Sequence, residues 1–495
     1  MVSAGTPHPR TFHLMNSAEN ACSSPADTAA PRGFLWTIGG LGVDPERAKT
    51  LLVLAGPVIL GMLTQTAVNL VDTAMVGRLP SAVAVPGQAA LGISLPFYWA
   101  VGGFLSSIQV GTQAIVSRRF GEGKRRLAGR ALMNSLCIAF VSAAVTSIIA
   151  IVIIPYVFPF FHGDPDVIRL GVPYLQVRMV GVISMVATAG VKAFFDGIGR
   201  TYVHMVAAIT MNLINIFGNW VLIFGNLGAP RLEVTGAAIA STVSTYIGLG
   251  IMLVWTFRRE IRARFRPYRL RNLNLAVGWD IVRLSVPSGV ATVAMMAAFL
   301  LFLKIVGHLD MEAGHGAIFS AATKVVIDIL SITFMSCIAF GTAAATMVGQ
   351  SMGRKEPRLA ELYGWEAVKL GAYLFGAIGL LTAIWPQIPL SIFSEDASVI
   401  HTAIPIMRLL GAFEWAVAAA MILMQAMFGA GNSKFVMYVE LLLHFTCLVP
   451  LAYLLGVVFD LQLFGMWVSG VVYVVSAMSI IGWKFYQGKW KSIAL

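Results

Sequence analysis

Gln65, Asn69 and Asp72 stand at i, i+4 and i+7 inside one apolar run, so a helix there carries them as a single polar stripe. A carboxyl in lipid is costly and needs a reason. In a low-dielectric site such a group favours its neutral form, so it can hold a proton and lose it when water or a cation arrives. Proton and cation then compete for one charge, and that competition is the chemistry of exchange. A second stripe, Asn212, Asn215 and Asn219 at i, i+3 and i+7, and the neighbours Ser241 and Thr242 lie in two later apolar runs. The competing reading is that Asp72 sits near enough to the outer surface to reach water and couples to nothing.

A second constellation is Lys324 and Asp328 at i and i+4, with Ser331 continuing the face. An apposed ion pair partly neutralises itself, which makes burial tolerable. It serves a transport site or fixes helix packing, and the spacing does not choose between them. Glu414 lies near the middle of another run and joins Lys324 and Asp328 as a candidate ion or substrate site, with Arg408 one and a half turns earlier. Glu440 and His444 are i and i+4 in the next run; a lone midspan His is more often a satisfied packing residue. Lys192 and Lys304 are expected to snorkel towards the interface. Arg178 and Asp196 also lie in apolar runs or near their ends. Met295, Met296, Phe299, Phe302, Phe334 and Met335 offer flexible and aromatic walls suited to varied organic cations. There is no His-Glu-x-x-His and no phosphate loop, so an enzyme, a metal site and a cofactor are not expected. Cys22, Cys137, Cys337 and Cys447 are scattered and suggest no disulfide frame.

The elements that position these groups follow from composition. The 495 residues are 58% hydrophobic and 12% charged, so the solvent for most of the chain is lipid. Backbone polar groups find no water there, and apolar runs of this length suit helices rather than barrel strands. The expected fold class is an all-α integral membrane protein with twelve transmembrane helices in two six-helix lobes. The spans run roughly 52–76, 88–117, 130–158, 166–196, 201–225, 235–257, 281–307, 317–350, 364–388, 400–428, 433–457 and 461–483. Pro57, Pro96 and Pro287 are candidate bends. At 1.5 Å per residue, Asp72, Asn219, Ser241 and Thr242 share one level in the outer half.

Charge gives the orientation. Arg118, Arg119, Lys124, Arg125, Arg126 and Arg130 follow the second span, and seven arginines from Arg258 to Arg271 follow the sixth. Arg354, Lys355 and Arg358 follow the eighth, and Lys484, Lys489 and Lys491 the twelfth. The alternate loops are poor in Lys and Arg. The positive-inside rule places the basic loops and both termini in the cytoplasm. Such regular placement explains the net charge of +12 without nucleic acid. The expected organisation is a disordered cytoplasmic tail over 1–48 (with a short interfacial segment over 33–43), an N-lobe over 49–257, a basic inter-lobe loop over 258–280, a C-lobe over 281–483 and a cytoplasmic tail over 484–495. No cleaved signal peptide is expected.

The lobes are copies. Phe161, Asp164, Val167, Ile168 and Pro173 recur as Phe393, Asp396, Val399, Ile400 and Pro405, an offset of 232. Gly197 and Gly199 recur as Gly429 and Gly431, and Gly121 with Arg126-Leu127-Ala128 recurs as Gly353 with Arg358-Leu359-Ala360. An even number of spans per copy keeps both in one orientation, related by an axis along the membrane normal.

The run from Pro57 through Asp72 to Gly77, the run from Gly341 through Gln350 to Gly353, Gly197-Ile-Gly199-Arg-Thr201, Asn212-Leu-Ile-Asn215-Ile-Phe-Gly-Asn219 and Gly236-Ala-Ala-Ile-Ala resemble, in order, the multidrug and toxic-compound extrusion (MATE) family over about residues 50–485. The resemblance implies a monomeric antiporter in a bilayer, a bacterial inner membrane by its charge pattern. It would export small organic, often cationic compounds by alternating access, in exchange for H+ or, alternatively, Na+. The N-lobe is similar to the family's DinF-like branch, whose first-helix aspartate and fifth-helix pair match Asp72 and Asn215. Asn219 stands where that branch has a second aspartate, so one carboxylate remains. Some branches carry a seventh-helix glutamate eight residues after the proline; Met295 is there instead. An organic-acid exporter and a flippase for lipid-linked sugars are the alternatives, the latter needing a basic groove for which only Arg178, Lys304 and Lys324 are available.

Overall fold

The computed structural model describes residues 40, 42–161, 163–314 and 317–493, without the side chains of Thr66, Asn69, Leu70, Thr73, Ser81, Ala82, Val85 and Ala313. Most of the tail expected over 1–48, and of the interfacial segment expected over 33–43, lies outside the described residues. The first lobe holds α1 (Pro45–Gly77), α2 (Ser81–Ser106), α3 (Ile108–Gly121), α4 (Arg125–Val157), α5 (Pro165–Gly197), α6 (Tyr202–Phe224) and α7 (Glu233–Phe257). A short α8 (Arg259–Phe265) leads to the second lobe: α9 (Leu275–Ala313), α10 (Ile318–Gly353), α11 (Pro357–Ile384), α12 (Gln387–Phe393), α13 (Ala397–Gly429), α14 (Ser433–Leu443), α15 (Val449–Tyr453) and α16 (Gln462–Tyr486). Among the described residues twelve spans are long and apolar enough to cross a membrane, with α2 and α3 forming one and α14 and α15 another.

Burial sorts the helices. α5 and α13 lie at the centre of their lobes, with 67% of each apolar window buried. α5 packs against α2, α3, α4 and α7, and α13 against α10, α11 and α16. By contrast α4 leaves Val141, Val145, Ile148, Val152 and Ile153 exposed, an apolar face that suits lipid and not water.

The helix ends follow local rules. α1 starts at Pro45, inside the stretch expected to be tail and a full turn or more ahead of the expected residue 52. Pro45 takes the first helical turn and the Asp44 carboxylate accepts from Arg47 N at 3.0 Å. The basic inter-lobe loop is a folded connector. Ile261 and Phe265, at i and i+4 on α8, are buried in the N-lobe core, and Asn272 O accepts from Asn134 Nδ2 at 2.9 Å. The helices run on through Pro57, Pro96 and Pro287; the break in the second span falls at Ser107, after Gly102 and Gly103.

The lobes meet on a pseudo-two-fold axis. A methyl on Gly121 would stand 2.1 Å from Gln350 O, and a methyl on Gly353 2.1 Å from Arg118 O. Gly121 and Gly353 differ by the repeat offset, and so do Arg118 and Gln350. The same contact is therefore made twice, once from each lobe, and only glycine allows the backbones so close. Hydrogen bonds crossing between the lobes gather in this half of the bundle, beside the basic loops. Gln113 Nε2 donates to Thr342 O and Thr346 Oγ1, both at 3.0 Å, and Gln350 Nε2 to Gly197 O at 2.9 Å. Both chain ends add straps. Asp44 N donates to Glu366 Oε1 at 2.5 Å, Lys369 Nζ to Gly42 O at 2.6 Å, and Arg118 Nη1 to Ile493 O at 2.6 Å. The basic end of the bundle is sealed.

Candidate functional site

α6 shows why its polar stripe matters. Asn212, Asn215 and Asn219 are buried, whereas Leu213, Phe217 and Trp220 on the other side are 64%, 58% and 43% exposed. The helix is inverted relative to a water-facing one, with its polar face inward. Polar groups in a bilayer turn to the bundle interior because lipid cannot satisfy them. On α6, the stripe meets α1 and α7.

There the structure brings Asp72, Asn215, Asn219 and Ser241 together. Asn219 Nδ2 donates to Asp72 Oδ1 at 2.5 Å and to Asn215 Oδ1 at 3.2 Å. Ser241 Oγ donates to Asp72 Oδ2 at 3.3 Å, and Asn215 Nδ2 donates to Ser241 Oγ at 3.0 Å. Turned over, the Asn215 amide donates to Asp72 Oδ1 at 2.8 Å and accepts from Ser241 Oγ at 3.0 Å. The amide thus has a partner in either orientation, and the hydroxyl both donates and accepts. A carboxylate here finds two or three donors, and a protonated carboxyl finds an acceptor in Ser241 Oγ. Arg178 lies on α5 with its guanidinium 4.2 Å from the centre of the Tyr98 ring, close enough to act on Asp72 electrostatically.

Other expected members stand apart. Thr242, a hundred degrees round α7 from Ser241, donates to Val177 O at 3.2 Å. Asn212 is buried with neither amide atom partnered in the protein. Gln65 makes no hydrogen bond to the cluster, being about 10 Å along the helix from Asp72. The Asn69 side chain lies outside the described residues.

In the C-lobe, Lys324 Nζ meets Asp328 Oδ1 at 2.6 Å, but the lysine side chain is 69% exposed. Glu414 is buried on α13, with Thr333 and Cys337 of α10 as neighbours and Oε1 unpartnered. No hydrogen bond or ion pair joins Glu414 to Lys324 and Asp328, so these three do not form one site. Arg408 is exposed and does not pair with Glu414. Of the expected apolar walls, Phe302 is core, packed edge-on against Trp467 at 5.5 Å; Met295, Met296, Phe334 and Met335 are half-buried and Phe299 is exposed. An apolar cavity of about 690 Å³ between α11, α13 and α16, lined by Trp365, Tyr373, Trp415 and Trp483, is in the C-lobe and away from Asp72.

Two clusters go beyond what spacing suggested. Lys192 does not snorkel. It is buried and pairs with the fully buried Asp196 at 2.7 Å, because the lobe interface covers this end of α5. Thr346 of the other lobe donates to Asp196 O at 3.0 Å. His444 is not alone either: it and Glu440 meet Tyr473 of α16, whose hydroxyl donates to Glu440 Oε2 at 3.0 Å. For Arg178 and Lys192 the available signal was a basic residue deep in an apolar run, which demands a partner.

The sequence model of the MatE family matches residues 57–221 and 287–454, one match in each lobe. The chain is 25% identical over 463 residues to a probable multidrug resistance protein NorM of Thermotoga maritima, covering 91% of this chain and 95% of that one. In fold it is similar to a MATE family multidrug resistance transporter of the MOP superfamily in an outward-facing conformation, with a TM-score of 0.80, 19% identity and coverage of 94% and 100%. It is likewise similar to a MOP superfamily transporter from Pyrococcus furiosus, with a TM-score of 0.79, 20% identity and coverage of 93% and 98%.

Proposed function

The chain belongs to the MatE family of membrane transporters, which are not enzymes, and from that premise we propose that it is a proton-coupled antiporter exporting small organic cations. The observation that carries the proton is the shell around Asp72, which offers hydrogen-bond partners to the carboxylate and to the protonated acid. A carrier of protons must be stable in both forms, and an amide that can turn over supplies the adjustment. The export of drug-like compounds rests on the multidrug resistance names of the curated relatives. Asp72 and Asn215 align with the DinF-like pattern, and the cluster works with one carboxylate because Asn219 donates where an acid would accept.

The basic loops lie in the cytoplasm and both termini with them, in a bacterial inner membrane, and the chain acts as a monomer. The sealed basic end then makes this an outward-facing state, in keeping with the conformation named for one of the similar structures. Rocking of one lobe against the other breaks the glycine seal and exposes Asp72 to the cytoplasm. A cation loaded there competes with the proton for the one charge on Asp72, so it binds as the proton leaves, which ties the two movements together.

The test is reconstitution into vesicles with a pH gradient or a sodium gradient imposed separately, following efflux of a fluorescent organic cation. Efflux on the pH gradient alone is expected. Efflux that follows sodium and ignores pH replaces the proton with sodium as the coupling ion.

A further inference from the structure

We propose that Glu440, His444 and Tyr473 form a second site in the C-lobe that binds one exchangeable proton. All three are buried, with 4%, 3% and 9% of their surfaces exposed. His444 Nδ1 lies 2.7 Å from Glu440 O, and a carbonyl only accepts, so Nδ1 carries a hydrogen and Nε2 is the nitrogen left to gain or lose one. The same Nδ1 is 3.4 Å from Glu440 Oε2, which also accepts from Tyr473 at 3.0 Å. Glu440 Oε1 has no partner in the protein.

This geometry fixes how protons are counted. The pair is neutral overall as acid with imidazole or as carboxylate with imidazolium, and both forms hold the same single mobile proton. Removing it leaves a carboxylate beside a neutral ring, a net negative charge that the surroundings do not offset. The groups acting on the pair are Tyr473 and, through it, Cys447. α9 and α13, which also pack against α14, add no hydrogen bond or ion pair to it. Water or a solute cation must therefore arrive as the proton leaves. An imidazole at this distance from a lone carboxylate does not make the oxygen cage that sodium needs, so the proton is the ligand.

Two further observations place the site where movement is possible. His444 begins a π-helical turn, His444–Leu448, and a second, Leu454–Val458, follows Pro450 in the same span. Such turns are frequent at functional sites. The repeat offset of 232 also carries Asn212 onto His444, so each lobe buries a polar group at the same turn of its fifth span. The N-lobe has its acid on the first span; the C-lobe has it on the fifth.

The inference adds a second proton site to the antiporter reading and rests on that reading for its transport consequence only. The site itself is read by infrared pH titration of the full-length protein in lipid nanodiscs, comparing the unmodified chain with Asp72→Asn, Glu440→Gln, His444→Gln and Tyr473→Phe. A titrating carboxyl band that survives Asp72→Asn, disappears in Glu440→Gln and moves its midpoint by about one pH unit or more in His444→Gln and Tyr473→Phe is expected. In vesicles, pH-driven efflux by Glu440→Gln is expected to fall several-fold. Carboxyl titration unchanged by Glu440→Gln, or a Glu440 band indifferent to both His444→Gln and Tyr473→Phe, overturns the site. A normal Glu440 band beside efflux that ignores the pH gradient leaves the site standing and removes the proton-coupled reading instead.

Discussion

An acid in lipid is useful as a carrier only when its neighbours suit both of its charge states, and the part-buried Asp72 has such neighbours. Asn219 Nδ2, at 2.5 Å, is the strongest donor to it, and Ser241 Oγ, at 3.3 Å, the weaker. A hydrogen bond to a charged group contributes about 1.5–3 kcal/mol, so Asn219→Leu is expected to change the proton affinity of the site by roughly tenfold or more, read from the pH dependence of efflux. Ser241→Ala is expected to do less. Lys192→Met leaves Asp196 buried and unpaired, which should cost about 3–5 kcal/mol of stability by thermal or denaturant unfolding in detergent. Lys192→Met combined with Asp196→Leu should recover much of that loss; equal loss in the single and double variants would mean that the pair's charge is not what matters. The stripe of Asn212, Asn215 and Asn219 was legible because a helix repeats its face every few residues. Arg178 over Tyr98 and Tyr473 beside Glu440 were not, since each reaches its partner from another helix and no spacing encodes the crossing.

At the scale of elements, the spans and the duplication were plain in the apolar runs and the 232-residue offset. Their ends were harder, because Asp44 capping Pro45–Gly77 and Ile261 with Phe265 folding α8 depend on single residues in polar stretches. The break at Ser107 and the π-helical turns in the eleventh span carry no periodic signal. Gly121 and Gly353 gain their meaning only from the facing backbone of the other lobe. Gly353→Leu should wedge the seal, raising the labelling of a cysteine placed at Gln113 and lowering stability by about 1–3 kcal/mol. Unchanged labelling would show that the seal tolerates a side chain there. Outside the membrane, α8 is held by Arg200, whose hydrogen bond to Glu260 keeps that carboxyl below its usual range. A depressed folded value means the stabilisation is present above the ordinary carboxylate range and fades as pH falls through the lowered one. Arg200→Gln should therefore narrow the difference in unfolding temperature between neutral and acid conditions.

For the whole molecule, the ties between the two lobes gather at one end. Backbone contacts at Gly121 and Gly353, the Gln113 and Gln350 hydrogen bonds and the straps at Asp44 and Ile493 all close the same end. Opening that end must break them together, so in the proposed exchange the proton at Asp72 has to repay their loss through contacts made on the other side. The measurement that tests this coupling most directly is proton movement itself. A pH-sensitive dye inside vesicles, with no gradient imposed, reports protons displaced when an organic cation is added. The unmodified protein is expected to move protons against the cation, and Asp72→Asn to lose most of that movement. Equal proton movement by Asp72→Asn would contradict a role for this carboxyl in exchange.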